Sequence, residues 1–325
     1  MKKAENHTLN CMKGIACILV VLIHFNIPGM FGQAIAYFGA IAVPVFFLIS
    51  GYYSGNQDDK GWSRKILKKA VRIAKLFLGA FVLYFLLWFI RYGVEGRELP
   101  DISKFLLRND FSDISAYHLW FLPALFYCYI SHYVLYKVFK KVPVYAILIA
   151  TLICQFIKVP TGELQYVYLI IAPGFMMYYT GKLIKDKNIT VRNIPCAIFL
   201  SGVLSIVFVF LRCMGVKSNV VDLLIYGAAI GAFICAENMP NIGRDTVLEH
   251  IGRDLSLYVY VLHFLISILM DMVTYRLGVG YPSWWLAVKP LALIIACLIT
   301  SEVIFRVKKK LKNKKDKKEV INESI

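Results

Sequence analysis

Apolar positions in this chain come in runs of roughly 15–22 residues, the length that carries a helix across a hydrocarbon core, separated by short polar and mostly basic stretches. The runs fall near residues 12 to 27, 34 to 55, 73 to 92, 118 to 139, 143 to 158, 165 to 184, 194 to 213, 220 to 236, 255 to 275 and 284 to 305. They predict an all-α integral membrane fold, a single bundle of about ten transmembrane helices.

The charges between the runs orient the chain. Lys60, Arg64, Lys65, Lys68, Lys69, Arg72 and Lys75, against Asp58 and Asp59, mark the connection after the second run as cytoplasmic. The connection after the third run mixes Arg97, Lys104 and Arg108 with Glu95, Glu98, Asp101, Asp110 and Asp113, so it reads as external. Lys137, Lys140 and Lys141 return the chain to the inside, as do Lys182, Lys185, Lys187 and Arg192. From Arg306 to Lys318 nine basic residues accompany one Asp. Even parity and basic ends place both termini in the cytoplasm, with a multi-pass membrane domain over 1–306 and a basic tail over 307–325. Lys2 and Lys3 precede the first run as in a signal peptide, but no small-x-small cleavage site follows His24, so the first run is expected to be retained.

Composition agrees. Of 325 residues, 59% are hydrophobic and only 18% charged, too apolar for an ordinary soluble domain. The net charge of +17 follows from basic loops flanking apolar spans and calls for no nucleic-acid partner. The eight cysteines are scattered, mostly within apolar runs, with neither disulfide nor zinc spacing.

Ionisable residues inside the runs are the first candidates for chemistry, because each is costly in lipid. His24 lies well along the first run, and Lys13 lies eleven positions earlier. Eleven steps of about 100° make three turns plus roughly 20°, so the two share one helix face about 16 Å apart. In the second run, Pro44 frees a backbone carbonyl while Ser50 and Gly51 allow close helix approach. Lys69 and Arg72 fall on one helix face at the mouth of the third run, where they could hold phosphates or simply snorkel. His118 and Trp120 open the fourth run, where anchoring at the interface competes with acceptor binding. His263 sits among tyrosines in the ninth run, fit to meet an acceptor or to tie helices together. Glu302 is four residues before Arg306, so an i,i+4 pair competes with the orientation of a catalytic histidine. Asp271 reads as interfacial, as do His132 and His250. No nucleophile elbow, Gly-rich phosphate loop or metal-ligand spacing appears.

Four segments, taken in order, carry a resemblance. They are Leu9-Asn-Cys-Met-Lys-Gly-Ile-Ala16 leading to His24, Phe46-Phe-Leu-Ile-Ser-Gly51, His118-Leu-Trp-Phe-Leu-Pro-Ala124, and Ile251-Gly-Arg-Asp-Leu-Ser-Leu-Tyr-Val-Tyr-Val-Leu-His263. Over nearly its whole length the chain resembles the integral membrane acyltransferases of family 3, bacterial O-acyltransferases that modify surface polysaccharides. The resemblance implies a protein of the bacterial cytoplasmic membrane that uses acetyl-CoA from the cytoplasm as acyl donor. The acceptor would be a hydroxyl of a surface glycan or lipid-linked saccharide, and no metal is implied. Lys13, Lys69 and Arg72 would meet the donor's phosphates, and His24 would act as general base or carry a covalent acyl group. Asn10, Ser50, His118, Trp120, His263 and Glu302 would serve the acceptor or support the site. The family pattern usually has Asp and Arg where this chain has Asn10 and Lys13, and Arg at both ends of Lys69-x-x-Arg72. Lysine keeps the charge but loses the guanidinium fork. Two other readings stay open at this level: a transporter or exporter of a glycan or small molecule, and a non-catalytic member of the same fold.

Overall fold

In the computed structural model, residues 5–55, 60–92, 99–107, 109–156, 163–278 and 282–323 are described. The loop charges Asp58, Asp59, Glu95, Arg97, Glu98 and Arg108 used above lie outside them. Among the described residues all regular structure is helical. The helices are α1 (His7–His24), α2 (Met30–Gly39), α3 (Ala42–Tyr52), α4 (Trp62–Tyr92), α5 (Ile102–Leu107), α6 (Phe121–Phe139), α7 (Val144–Phe156), α8 (Glu163–Asp186), α9 (Ile194–Cys213), α10 (Asn219–Asn238), α11 (Val247–His250), α12 (Ser256–Arg276) and α13 (Ser283–Glu323). Short 3₁₀ turns at Ser112–Ile114 and Tyr117–Trp120 lead into α6, and a π turn at Ile251–Leu255 joins α11 to α12.

Over the described residues, all ten apolar runs are largely helical, the second as two helices. Among the described residues, eight helical segments are long and apolar enough to cross a membrane: His7–His24, Met30–Tyr52, Trp62–Tyr92, Tyr117–Phe139, Ile194–Cys213, Asn219–Asn238, Val247–Arg276 and Ser283–Lys314. The other two runs are α7 and α8, of 13 and 24 residues. At about 1.5 Å per residue, α7 rises only about 20 Å, short of the roughly 30 Å hydrocarbon core. Large apolar side chains point outward along the long helices, as Leu78, Leu86 and Ile90 do on α4 and Phe199, Ile206 and Phe210 on α9. Such faces suit lipid, while the helices satisfy their own backbone polar groups. The chain is a multi-pass membrane protein.

Local chemistry sets the helix starts. The side chains of Asn6, Asn193, Ser218 and Thr246 accept backbone N–H bonds at the first turns of α1, α9, α10 and α11. The second apolar run departs from expectation: it breaks after Gly39 and resumes at Ala42, so Pro44 falls in the first turn of α3. A first-turn proline gives up an N–H that has no intrahelical partner, so it begins this helix rather than bending it. The third run also begins earlier than its apolar part, and α4 carries Lys69 and Arg72 inside its helix.

The chain divides into two compact units, residues 1–39 with 240–325 and residues 40–239. In the first, α1 packs against α2, α11, the π turn, α12 and α13. Close approach is built in by glycine. A Cβ on Gly252 would overlap the Asn10 carbonyl, and one on Gly14 would overlap that of Leu248. In the second unit, α3 packs on α8 and α10, α4 on α6, α7 on α8 and α9 on α10. Here Gly51 lies on the Tyr178 backbone and Gly181 on that of Leu48, so α3 and α8 touch main chain to main chain. The close approach expected of Ser50-Gly51 is thus made against α8.

Candidate functional site

His24 is the last residue of α1, capped by Phe25, whose N–H donates to the Val21 carbonyl. Its imidazole is half-buried and lies over the ring of His263 from α12, with centroids 5.6 Å apart and planes 30° from parallel. Phe264 presents its edge 5.0 Å away, and Phe25 closes on Phe264 at 5.0 Å. His263 is fully buried, and its Nδ1 lies 2.8 Å from the Tyr260 carbonyl and 3.1 Å from that of Val259. Carbonyls only accept, so Nδ1–H is the donor, and in the neutral ring the lone pair sits on Nε2. These bonds lie within α12 and fix the His263 ring, and that ring, stacked on His24, is the contact it makes with α1.

Near Phe25 lies a charged pair that sequence reading left unexplained. Lys289 of α13 donates to Asp271 of α12 at 2.6 Å, and its ammonium is 5.6 Å from the Phe25 ring centre. Asp271 is thus paired rather than merely interfacial. A signal was available. Asp271 is five residues before the end of α12 and Lys289 six after the start of α13, so a short connection sets them at similar depth.

The other end of α1 holds a polar network around the π turn. Asn10 is buried and its amide donates to Glu5 at 2.8 Å. Glu5, Asp254 and Arg253 are the charged groups acting on Lys13. The carboxylate that Asn10 lacks is thus supplied five positions earlier by Glu5. Glu249 receives His7 at 2.6 Å and Arg253 at 3.2 Å, while Arg253 also reaches Asp254 at 3.1 Å. π turns recur at functional sites because the extra residue redirects side chains. Here the turn brings Arg253 and Asp254 beside Lys13.

Glu302 forms the i,i+4 pair with Arg306 at 2.5 Å, and its other oxygen meets a histidine. That histidine is His250, at 2.7 Å, whose second nitrogen faces Asp254 at 3.0 Å. Glu302 therefore ties α13 to the π turn. Glu302→Gln is expected to lower the unfolding temperature while leaving the acyl-transfer rate within about threefold of wild type. A parallel loss of turnover in a rate assay on folded protein would restore the orienting role. The 3-fold bound reflects that interactions away from reacting groups contribute little differential binding to the transition state.

In the second unit, Lys69 donates from α4 to the Tyr53 carbonyl beyond the end of α3, and Arg72 is exposed one turn further along. Ser50 hydrogen-bonds the Tyr129 hydroxyl, on which Arg72 also acts electrostatically. His118 is buried with its ring edge-on to Tyr84 at 5.3 Å, in the interior of this unit rather than in an interfacial belt. Trp120 accepts the Asn109 amide at its carbonyl and lines a cavity described below. His132, read from sequence as interfacial, is fully buried and bonds the Tyr178 hydroxyl at 2.9 Å. Among the described residues, no three His, Cys, Asp or Glu side chains are grouped to hold a metal ion.

The apolar helical bundle defines a multi-pass membrane protein with a histidine pair at the end of α1 and polar networks around the π turn. The family model described as "Acyltransferase domain", that of acyltransferase family 3, matches residues 6–301. The chain belongs to this family. It is also similar to an amino-acid racemase of Enterococcus faecalis, at 22% identity over 85% of this chain and 42% of that protein. The chain thus spans less than half the length of that relative. No solved structure matches it.

Proposed function

We propose that this family member is an active acyltransferase, an O-acetyltransferase of the bacterial cytoplasmic membrane. It takes acetyl from cytoplasmic acetyl-CoA and delivers it to a hydroxyl of a surface polysaccharide or lipid-linked glycan. The observation that carries the reading is His24, a half-buried imidazole at the end of α1 walled by His263 and Phe264. Acyl transfer to an alcohol needs a base for the hydroxyl proton, and imidazole is the side chain suited to that task near neutral pH.

In the proposed reaction His24 accepts the proton as the acceptor oxygen bonds to the thioester carbonyl carbon. The tetrahedral intermediate then collapses, the carbon–sulfur bond breaks, and the thiolate of coenzyme A takes the proton from the imidazolium. Acetyl ester and free thiol are the products, and His24 is returned neutral. Lys69 and Arg72 are assigned to the donor's phosphates, each as a point of positive charge, and Lys13 in the other unit is an independent candidate for that role.

The test uses purified protein in lipid, labelled acetyl-CoA and candidate glycans. Label ester-linked to the glycan is the expected result. Donor binding without transfer to any acceptor would indicate a non-catalytic member of the family, and glycan movement independent of acetyl-CoA would indicate an exporter. Lys69→Ala and Arg72→Ala are each expected to weaken acetyl-CoA binding by about tenfold, in line with the 1.5–3 kcal/mol typical of a charged hydrogen bond. Acceptor binding should change far less. Equal losses for both ligands in a titration would remove the phosphate assignment.

A further inference from the structure

The unit formed by residues 40–239 holds a half-open cavity of about 250 Å³. Its lining includes Pro44 and Phe47 of α3, Trp120, Gly174 of α8, and Asp222 and Tyr226 of α10. None of these residues has a donor or proton-transfer role above. Gly174 lets α8 approach the Phe47 ring, which forms the adjoining wall: a Cβ there would come within 2.9 Å of that ring. The volume lies just below the roughly 300–1,000 Å³ of sites for drug-sized ligands, so it suits one small molecule or one unit of a larger one.

The chemistry of the lining narrows the class. Three aromatic groups, Phe47, Trp120 and Tyr226, and an apolar floor offer faces for C–H surfaces. The one charged group is Asp222, and Arg212 pairs with its Oδ1, so the polar edge carries no net charge. An anionic phosphate finds no unpaired cation in that arrangement. A carboxylate has about four lone-pair sites, so Asp222 keeps acceptor capacity for hydroxyl groups beside the Tyr226 phenol. Trp120 and Asp222 stand at the beginnings of the segments that carry α6 and α10, the external end in the loop-charge reading.

We infer that this cavity binds a neutral polyhydroxylated molecule, a single sugar unit, between Trp120, Tyr226 and Asp222. That the sugar belongs to the acyl acceptor rests on the O-acetyltransferase reading; the binding itself does not. The experiment is saturation-transfer NMR on the full chain in lipid nanodiscs with D-glucose and N-acetyl-D-glucosamine, and glycerol 3-phosphate as the anionic comparison. At least one neutral sugar binds saturably, and Trp120→Ala and Asp222→Asn each weaken it at least about tenfold. Ala40 also lines the cavity, and Ala40→Phe, which fills it without removing a polar partner, abolishes binding while a cooperative unfolding transition shows the protein folded. Sugar binding unchanged in all three variants, binding of glycerol 3-phosphate alone, or no sugar binding at all would overturn the site. Acetyl transfer that continues with sugar binding lost from Ala40→Phe overturns only the acceptor assignment. Intact sugar binding without acetyl transfer in wild type overturns the transferase reading and leaves the site standing.

Discussion

Replacing His24 with alanine is expected to lower kcat for acetyl transfer by about 10²- to 10⁴-fold, the range that a positioned general base contributes. Donor affinity should hold, because the donor's phosphates are assigned to cations and not to His24; of these candidates Lys13, on the same helix, lies eleven residues away along α1. The expected signature is therefore a fall in kcat with little change in KM, as when an interaction made only in the transition state is lost. His263 sharpens the test. His263→Phe keeps an aromatic ring against His24 and Phe264 while removing the donors to Val259 and Tyr260. It should cost less in kcat than His24→Ala. If the order is reversed in a steady-state assay, the base is His263 and His24 is its wall.

The second large effect is structural. Gly252→Val is expected to disrupt the packing of α1 on the π turn, because its Cβ would meet the Asn10 carbonyl and the Gly14 main chain with no flexible side chain to yield. Overpacking costs typically about 1–3 kcal/mol in a well-packed interior, and backbone-to-backbone contact puts this site at the upper end. A drop of several degrees in the unfolding temperature is the stability readout. The functional readout follows from position, since Asn10 and Lys13 lie on the α1 turns that Gly252 touches. KM for acetyl-CoA should rise in the protein that remains folded. An unchanged unfolding temperature would mean that α1 and the turn are not in main-chain contact.

Much of the architecture was readable from sequence because membrane spans obey a length rule. Apolar runs of the right length became helices wherever they occurred, including 194 to 213, which matches α9 residue for residue. What could not be read was long-range. The break after Gly39 lies in an uninterrupted apolar run, where neither hydropathy nor the nearby Pro44 marks it. Glu302 was recognised as an acid worth explaining and its pairing with Arg306 follows from helix geometry. Its reach to His250, 52 residues away, depends on how α13 packs against the π turn.

The site divides the same way. His24 and its alignment with Lys13 needed only helical periodicity, and both residues sit on α1 as that periodicity requires. The partner of His24 needed the fold: His263 was singled out as an intramembrane histidine, but a stacked neighbour 239 positions along the chain carries no local signal. The substitution of Asn10 for the family's usual acid looked like the loss of a charge beside Lys13. Glu5 restores it from the residues before the helix, where no motif position marks it. His132 shows the converse error, since a histidine at the end of an apolar run looks interfacial until Tyr178 and Trp62 are found around it.

The most direct test of His24 as the base is single-turnover transfer from labelled acetyl-CoA to a glycan acceptor in proteoliposomes containing this protein alone. Wild type should place label on the glycan in one exponential phase, and His24→Ala should bind the donor yet transfer at least about a hundredfold more slowly. Transfer by His24→Ala at the wild-type rate would contradict the assignment.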